Sequence, residues 1–509
     1  MQMTCASIAV AALVLAAGVL EGKEKMDEKA DSLLIGWDSR ALVPERPALL
    51  RGMPTARVAT DVLDPITVTA LALEAENGAR VIMVSADLCA IDTGTMACAR
   101  AELGRLVPGF DPGLMVVNAT HTHTSLSGLE GIYPRPEGDC MTPSETVEFM
   151  GGRIAAAAAA AWSNRQTGAV AWGRGQAVVG HNRRASYFSG EAKMYGQTAS
   201  PDFSHIEGYE DHGVDLLFTY DAQRRPTGVM VNLACPAQCS ASLSVISADF
   251  WHEARLEIRK QTGANLFVLP QCSAAGDQSP SLLLNKNAEA RMLALKENVP
   301  VEKLDFNMAR RREIGRRIAA AVVDVMPFAS RDIGEQVLFR HEKAILDLPA
   351  LPISEADAAE ARAEMARAEK QLEALDMKTD WKEYSRQYRQ AHRYRRLLQR
   401  YAAQQESKTV KAEIHVMRLG DVALATNPYE LFLDFGLQIK ARSPALQTFL
   451  VQLAGNASYV PTARAVAGKG YGAEPVSNPV GPEGGRKLVE ETLKIIGALW
   501  PATETNGKK

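Results

Sequence analysis

Residues 264–280 constrain the fold more than any other stretch. Ala264-Asn265-Leu266-Phe267-Val268-Leu269-Pro270 has the make-up of a short buried strand closed by a proline. Small residues follow, and then Gly276-Asp277-Gln278-Ser279-Pro280, where helix and strand patterns both fail. Glycine permits a tight turn, Asp and Ser bond back to the local backbone, and Pro280 fixes φ and removes a donor. A hydroxyl held on a sharp turn at a strand end suits a nucleophile. Gly-Asp-Gln-Ser-Pro also makes a plain turn, which taken alone is the commoner case.

The rest of the chain belongs to an ordinary globular protein. It has 509 residues, 46% hydrophobic and 23% charged, enough for two to four domain-sized units or one large α/β domain with insertions. A net charge of −3 argues against nucleic acid as a partner. The seven scattered cysteines, with no Cys-x-x-Cys pair, make neither a disulfide framework nor a zinc ribbon. Residues 6–20 form an apolar run, long enough for a signal segment and short for a membrane span. The expectation is a leader over residues 1–31 and export to the periplasm or outside the cell; a start at Met26 would leave the protein in the cytoplasm. No transmembrane span is expected.

Taken in order, the chain alternates short apolar runs with turns and helices. Runs 66–73 and 81–86 flank Glu76-Asn77-Gly78, a strong hairpin signal. A helix over 93–106 stops at Pro108-Gly109. Strand 114–119 delivers Thr120-His121-Thr122-His123-Thr124. In an extended chain, His121 and His123 share a face, which suits a metal site, a ligand-plus-substrate pair or a hydrogen-bonded loop. The alanine-rich 144–162 reads as a helix on propensity alone, and 180–184 as a basic turn able to hold an anion or a carbonyl oxygen.

Strands at 216–220 and 229–234 follow, the second ending at Cys235, a soft ligand or a small buried packing residue. Residues 249–262 and 309–326 read as helices. Residues 354–407 change in texture from acidic and alanine-rich to rich in Arg and Tyr, predicting an inserted antiparallel helical hairpin. Residues 412–419 and 422–425 form a hairpin. A helix from Asn427-Pro428 to about residue 441 would carry Glu430 in its first turn, where the dipole keeps it ionised. Strand 449–453 and the loop 468–485 complete the pattern.

Four pieces in this order, Thr120-His121-Thr122-His123, Asn182-Arg183, Gly276-Asp277-Gln278-Ser279-Pro280, and Glu430 with Tyr459, resemble the catalytic domain of the neutral/alkaline (non-lysosomal) ceramidase family. The resemblance runs from about residue 35 to 499, apart from the hairpin. It implies a zinc ion and a serine that together cleave the amide of an N-acylated, sphingolipid-like small-molecule or lipid substrate. By position it makes His121, Glu430 and Tyr459 zinc ligands, Ser279 the nucleophile, and His123, Arg183 and Tyr471 substrate or oxyanion contacts. Where the family has a second histidine ligand the chain reads Ala234-Cys235-Pro236, so Cys235 is the candidate replacement.

The expected fold is α/β: a mixed β-sheet core with outer helices and an inserted hairpin. The catalytic domain would comprise residues 32–353 and 408–502, with 354–407 inserted. Alternatives to an amidase are a hydrolase of an ester or glycosidic bond on this scaffold, and a catalytically inactive binding protein.

Overall fold

Two β-sheets face each other, and helices cover their outer faces. The computed structural model describes residues 30–500. The apolar run at 6–20 and Met26, on which the export and start-site expectations rest, lie outside the described residues. The larger sheet has nine strands. Its central path runs Phe267–Cys272, Pro226–Leu233, Gly213–Asp221, Gln166–Gln176, Asp31–Ala41, Thr67–Ala75, Arg80–Ala86 and Met115–Ala119. The smaller sheet orders Phe339–Pro349, Thr409–Leu419, Val422–Thr426 and Gln447–Val451. Most pairings are antiparallel. Within these two sheets three are parallel: Arg80–Ala86 with Met115–Ala119, Pro226–Leu233 with Phe267–Cys272, and Val422–Thr426 with Gln447–Val451. The mixed α/β expectation therefore holds.

Between the sheets lies an apolar layer that includes Leu33, Trp37, Leu71, Met230, Phe339, Met417 and Phe449. Thr93–Leu106 and Pro143–Ser163 cover one half of the larger sheet's outer face, and Phe250–Thr262 and Phe306–Ala329 cover the other. Leu433–Arg442 and Pro482–Leu499 cover the smaller sheet. Each fully buried Val or Leu contributes about 1.5–3 kcal/mol, so these layers dominate stability. The alanine run does more than favour a helix. Ala155, Ala157, Ala158 and Ala161 are buried, and a Cβ at Gly36 would lie 2.0 Å from the Ala161 carbonyl oxygen. Small residues on both elements let helix and strand touch.

The hairpin turn falls where Asn77-Gly78 predicted it, with Gly78 at φ 85° and its N–H bonded to Ala75. The helix Thr93–Leu106 has the predicted bounds, with Asp92 as its cap. Residues 354–407 form the helices Glu355–Glu373 and Trp381–Ala403, joined across their faces by pairs such as Arg395–Glu369.

Three local expectations fail for tertiary reasons. Pro270 does not end its strand. It sits inside Phe267–Cys272, an edge strand of the main sheet, where the missing N–H costs no ladder bond. Residues 181–182 and 278–279 are not loops but a two-stranded antiparallel ribbon with Ser279 opposite His181. Glu430 precedes its helix, which starts at Leu433. Glu430–Leu431 instead pairs in parallel with Tyr459–Val460, tied by the Glu430 N–H to the Ser458 carbonyl.

Among the described residues, no helix is long and apolar enough to cross a membrane.

Candidate active site at converging strand ends

The carboxyl ends of the three parallel pairs point to one place, the usual location for a ligand beside such strands. Loops from these ends are stitched together by backbone bonds: Ala237 N–H to Thr120 O, Ser273 N–H to Leu233 O, Gln452 N–H to Cys272 O, and Gly276 N–H to Leu431 O. That lattice fixes the side chains projecting from it.

At His121 the chain leaves strand geometry, with φ 66°. The same-face rule for extended residues therefore no longer applies, yet the two imidazoles still meet edge to face, 5.0 Å between centroids. His121 Nδ1 donates to the Cys89 carbonyl and its Nε2 lies 3.0 Å from Glu430 Oε2. Burial disfavours charge on the ring, but Glu430 and Cys89 together outweigh it, and His121 is held well above its ordinary pKa. Burial likewise opposes the Glu430 charge, and His121 brings its pKa below the ordinary carboxylate value. Tyr459, in register with Glu430, bonds to it; burial first, and then Glu430, push the phenol well up.

His123 behaves differently. Burial, reinforced by His121 and three arginines, holds it well below its usual pKa, so the ring is neutral at pH 7. Its Nε2 is 2.9 Å from the side-chain amide of Gln238, and its Nδ1 is a buried atom with no partner. Gly52 seats the ring: at φ 108°, with a Cβ there only 2.4 Å from His123 Cγ, any other residue would be strained and would have to push the ring aside.

Arg183 is buried and donates to the Gly276 carbonyl at 2.7 Å and to the Tyr459 hydroxyl at 3.3 Å. Its guanidinium also lies 5.9 Å from the Tyr195 ring centroid. Tyr195 donates to Ser279 Oγ at 3.1 Å, which also accepts from the Ser281 N–H at 3.1 Å. A continuous chain of contacts thus links Ser279, Tyr195, Arg183, Tyr459, Glu430 and His121. Tyr471 stacks edge to face on Tyr459, 5.6 Å between centroids, and is partly exposed at the mouth. Buried Arg184, paired with Glu207 at 2.9 Å, holds the loop of Tyr471 through the carbonyls of Ala465, Lys469 and Tyr471.

Of the residues singled out in the sequence, these contacts gather His121, His123, Arg183, Ser279, Glu430, Tyr459 and Tyr471. Cys235 stands apart. Its thiol points to the Val179 carbonyl at 3.3 Å within the apolar layer that holds Phe250 and Trp251, and burial pushes its pKa well up. A neutral thiol facing a carbonyl is a packing residue. The thiol beside His121 is Cys89, with Sγ 3.8 Å from Nδ1. Tyr195, Gln238 and Cys89 were all missed. Cys89 alone left a signal, as a polarizable residue just past the 81–86 strand.

Metal donors are present. Ligating atoms of Cys89, His121 and His123 all lie within 4.8 Å of one another, and His123 Nδ1 is orphaned. On the other side of the His121 ring, Nε2 lies 3.0 Å from Glu430 Oε2, which adds a carboxylate to the donors. The Nδ1–H to carbonyl bond is the usual outer support of an Nε2 metal ligand. Imidazole, carboxylate, phenol and thiol suit a divalent transition metal, so the residues fit. The cavity of about 380 Å³ near Pro280 and His181 contains none of these donors; its walls are the helices Lys286–Glu297 and Phe306–Ala329.

No protein-family model matches the chain, and a search of curated proteins finds no match. Solved structures do match. The neutral ceramidase from Pseudomonas aeruginosa aligns over 92% of this chain and 74% of its own, at 15% identity and a TM-score of 0.64. A ceramidase complexed with C2 aligns over 92% and 75%, at 16% identity and a TM-score of 0.63. At that identity, the likeness establishes a ceramidase-like fold.

Proposed function

We propose that this protein is a metal-assisted hydrolase that cleaves the amide bond of an N-acylated, lipid-like substrate. The observation that carries the proposal is the unbroken polar chain from Ser279 through Tyr195 and Arg183 to the Tyr459–Glu430–His121 donor group. Likeness in fold to structures described as ceramidases supports the amide as the bond.

In this scheme His121, Glu430 and Tyr459 would hold a zinc ion, with Cys89 as the nearby thiol; Cys235 takes no part. A bound zinc would supply Lewis acidity, lowering the pKa of a hydroxyl and polarising the amide carbonyl. The protein's own groups do the rest. Ser279 Oγ already accepts two hydrogen bonds, so its own proton is free to leave as a C–O bond forms to the acyl carbon. Arg183, fixed by Gly276 and Tyr459, faces the oxygen on which negative charge builds. Neutral His123, whose Nδ1 has no partner, takes the Ser279 proton at that nitrogen as the C–O bond forms and passes it to the leaving amine as the C–N bond breaks. Water then releases the acyl group from Ser279.

The test is a panel of N-acyl amides, esters and glycosides offered to purified wild-type and Ser279→Ala protein. The expected result is amide hydrolysis, sensitive to chelator, that drops by about a thousandfold or more in the variant at unchanged metal content. Near-normal turnover by folded Ser279→Ala would overturn the nucleophile, and ester or glycoside turnover alone would overturn the amide.

A further inference from the structure

The centre carries more buried positive charge than its one carboxylate balances. Arg51 and Arg57 are each 8% exposed and Arg183 is 4% exposed. None of the three forms an ion pair among the described residues. Arg51 bonds the Asn456 side-chain oxygen at 3.2 Å, and its Nη1 is buried with no partner at all. Arg57 bonds only carbonyls, those of Ala241, Leu243, Arg51 and His123, and its Nε is likewise orphaned. A fourth arginine comes from the inserted hairpin: Arg389 donates to the Tyr133 hydroxyl at 2.7 Å, and that hydroxyl bonds the Met53 carbonyl, next to the glycine that seats His123. Glu430, the carboxylate at the centre, is already engaged by His121.

Buried charges left unpaired are costly and survive where a ligand completes them. Arginine is the side chain suited to fork onto carboxylate or phosphate oxygens. The hairpin is anchored here, through the Ser385 hydroxyl that accepts from the Ala56 N–H and through Arg393 over the Tyr471 ring, 5.4 Å away. It therefore roofs the site with cations although the chain as a whole is acidic, at −3.

From this we infer that the substrate is anionic: an N-acyl compound bearing a carboxylate or phosphate group, bound by Arg51 and by Arg389 of the inserted hairpin. The inference rests on the N-acyl hydrolase proposal for the rest of the ligand, and its own content is the charge.

Binding of three probes of equal chain length separates the cases: N-dodecanoylethanolamine (neutral), N-dodecanoylglycine (carboxylate) and N-dodecanoylethanolamine O-phosphate. Affinities are measured calorimetrically on the full chain with chelator present, so that hydrolysis is not needed. The expected result is that one anionic probe binds about tenfold or more tighter than the neutral one, as a charge-assisted bond gives. Which probe wins identifies carboxylate or phosphate. Arg389→Gln, half-buried where the hairpin meets Tyr133, and Arg51→Gln should each reduce that preference to about threefold or less, and Arg51→Lys should keep part of it. Equal binding of all three probes would overturn the inference, as would a preference unchanged in both Gln variants. Should Arg51→Gln fail to fold, Arg389→Gln decides alone. Anion preference without hydrolysis of any probe would sink the amidase proposal and leave this inference standing.

Discussion

The molecule contains two histidine pairs of nearly equal spacing, and their surroundings differ. His121 and His123 lie 5.0 Å apart at the converging strand ends; His341 and His415 lie 5.1 Å apart on adjacent strands of the smaller sheet. Each pair has a glutamate beside it. At the second pair every ring nitrogen has a partner within 3.2 Å: the Arg80 carbonyl, the other ring, and Glu413. Glu413 is itself paired with Arg100 and Lys343. At the first pair His123 Nδ1 has none, and the surrounding arginines have no carboxylate of their own. Two imidazoles and a carboxylate therefore do not make a site. Unspent hydrogen-bonding capacity and uncompensated charge do.

The sharpest way to break this contrast is to remove one ring from each pair. His121→Ala should lower kcat/KM for amide substrates by about a thousandfold or more, whereas His415→Ala should leave it within about twofold; equal losses in purified, folded protein would erase the distinction. A smaller effect is expected from Gly52→Ala, whose Cβ must displace the His123 ring. A loss of about 10- to 100-fold is predicted, because small displacements of an acid–base group are costly in rate, and wild-type kinetics in this variant would mean that the position of His123 is immaterial.

Stability should show the reverse order. His415→Ala strands a partly buried network and is expected to cost about 1–3 kcal/mol in denaturant titration; no loss would mean the network is idle. The mildest expected effect is on pH dependence. Burial holds His341 down to about 4 from its ordinary 6.5. The unfolded chain therefore takes up that proton first, and the stability tied to the neutral ring, complete above pH 6.5, is lost as pH falls towards 4. His341→Phe should flatten that part of the pH–stability curve, and an unchanged curve would remove His341 as its source.

The sequence made legible whatever rests on local pattern. Strand–turn–strand at Asn77-Gly78, the capped helix Thr93–Leu106 and the inserted hairpin all have signals within a few residues of themselves. The site was legible as residue types but not as geometry. Glu430 reads as the opening of a helix after Asn427-Pro428, and only pairing with Tyr459, in another strand's loop, turns it into a bridge residue. Tyr195 reaches Ser279 from an irregular excursion with no periodicity to flag it. Cys235 carries a ligand's chemistry, but the backbone turns its thiol into the core, whereas Cys89 gains its place from strand order alone. Both assignments needed three-dimensional neighbours.

The central claim is that the donor group around His121 holds a metal ion, and elemental analysis tests it most directly. Wild-type, His121→Ala and His415→Ala proteins would be purified without chelator, incubated with zinc and freed of excess ion. The account predicts about one zinc per chain in wild type and in His415→Ala, and little in His121→Ala. Metal-free wild type, or equal metal in all three, would contradict it.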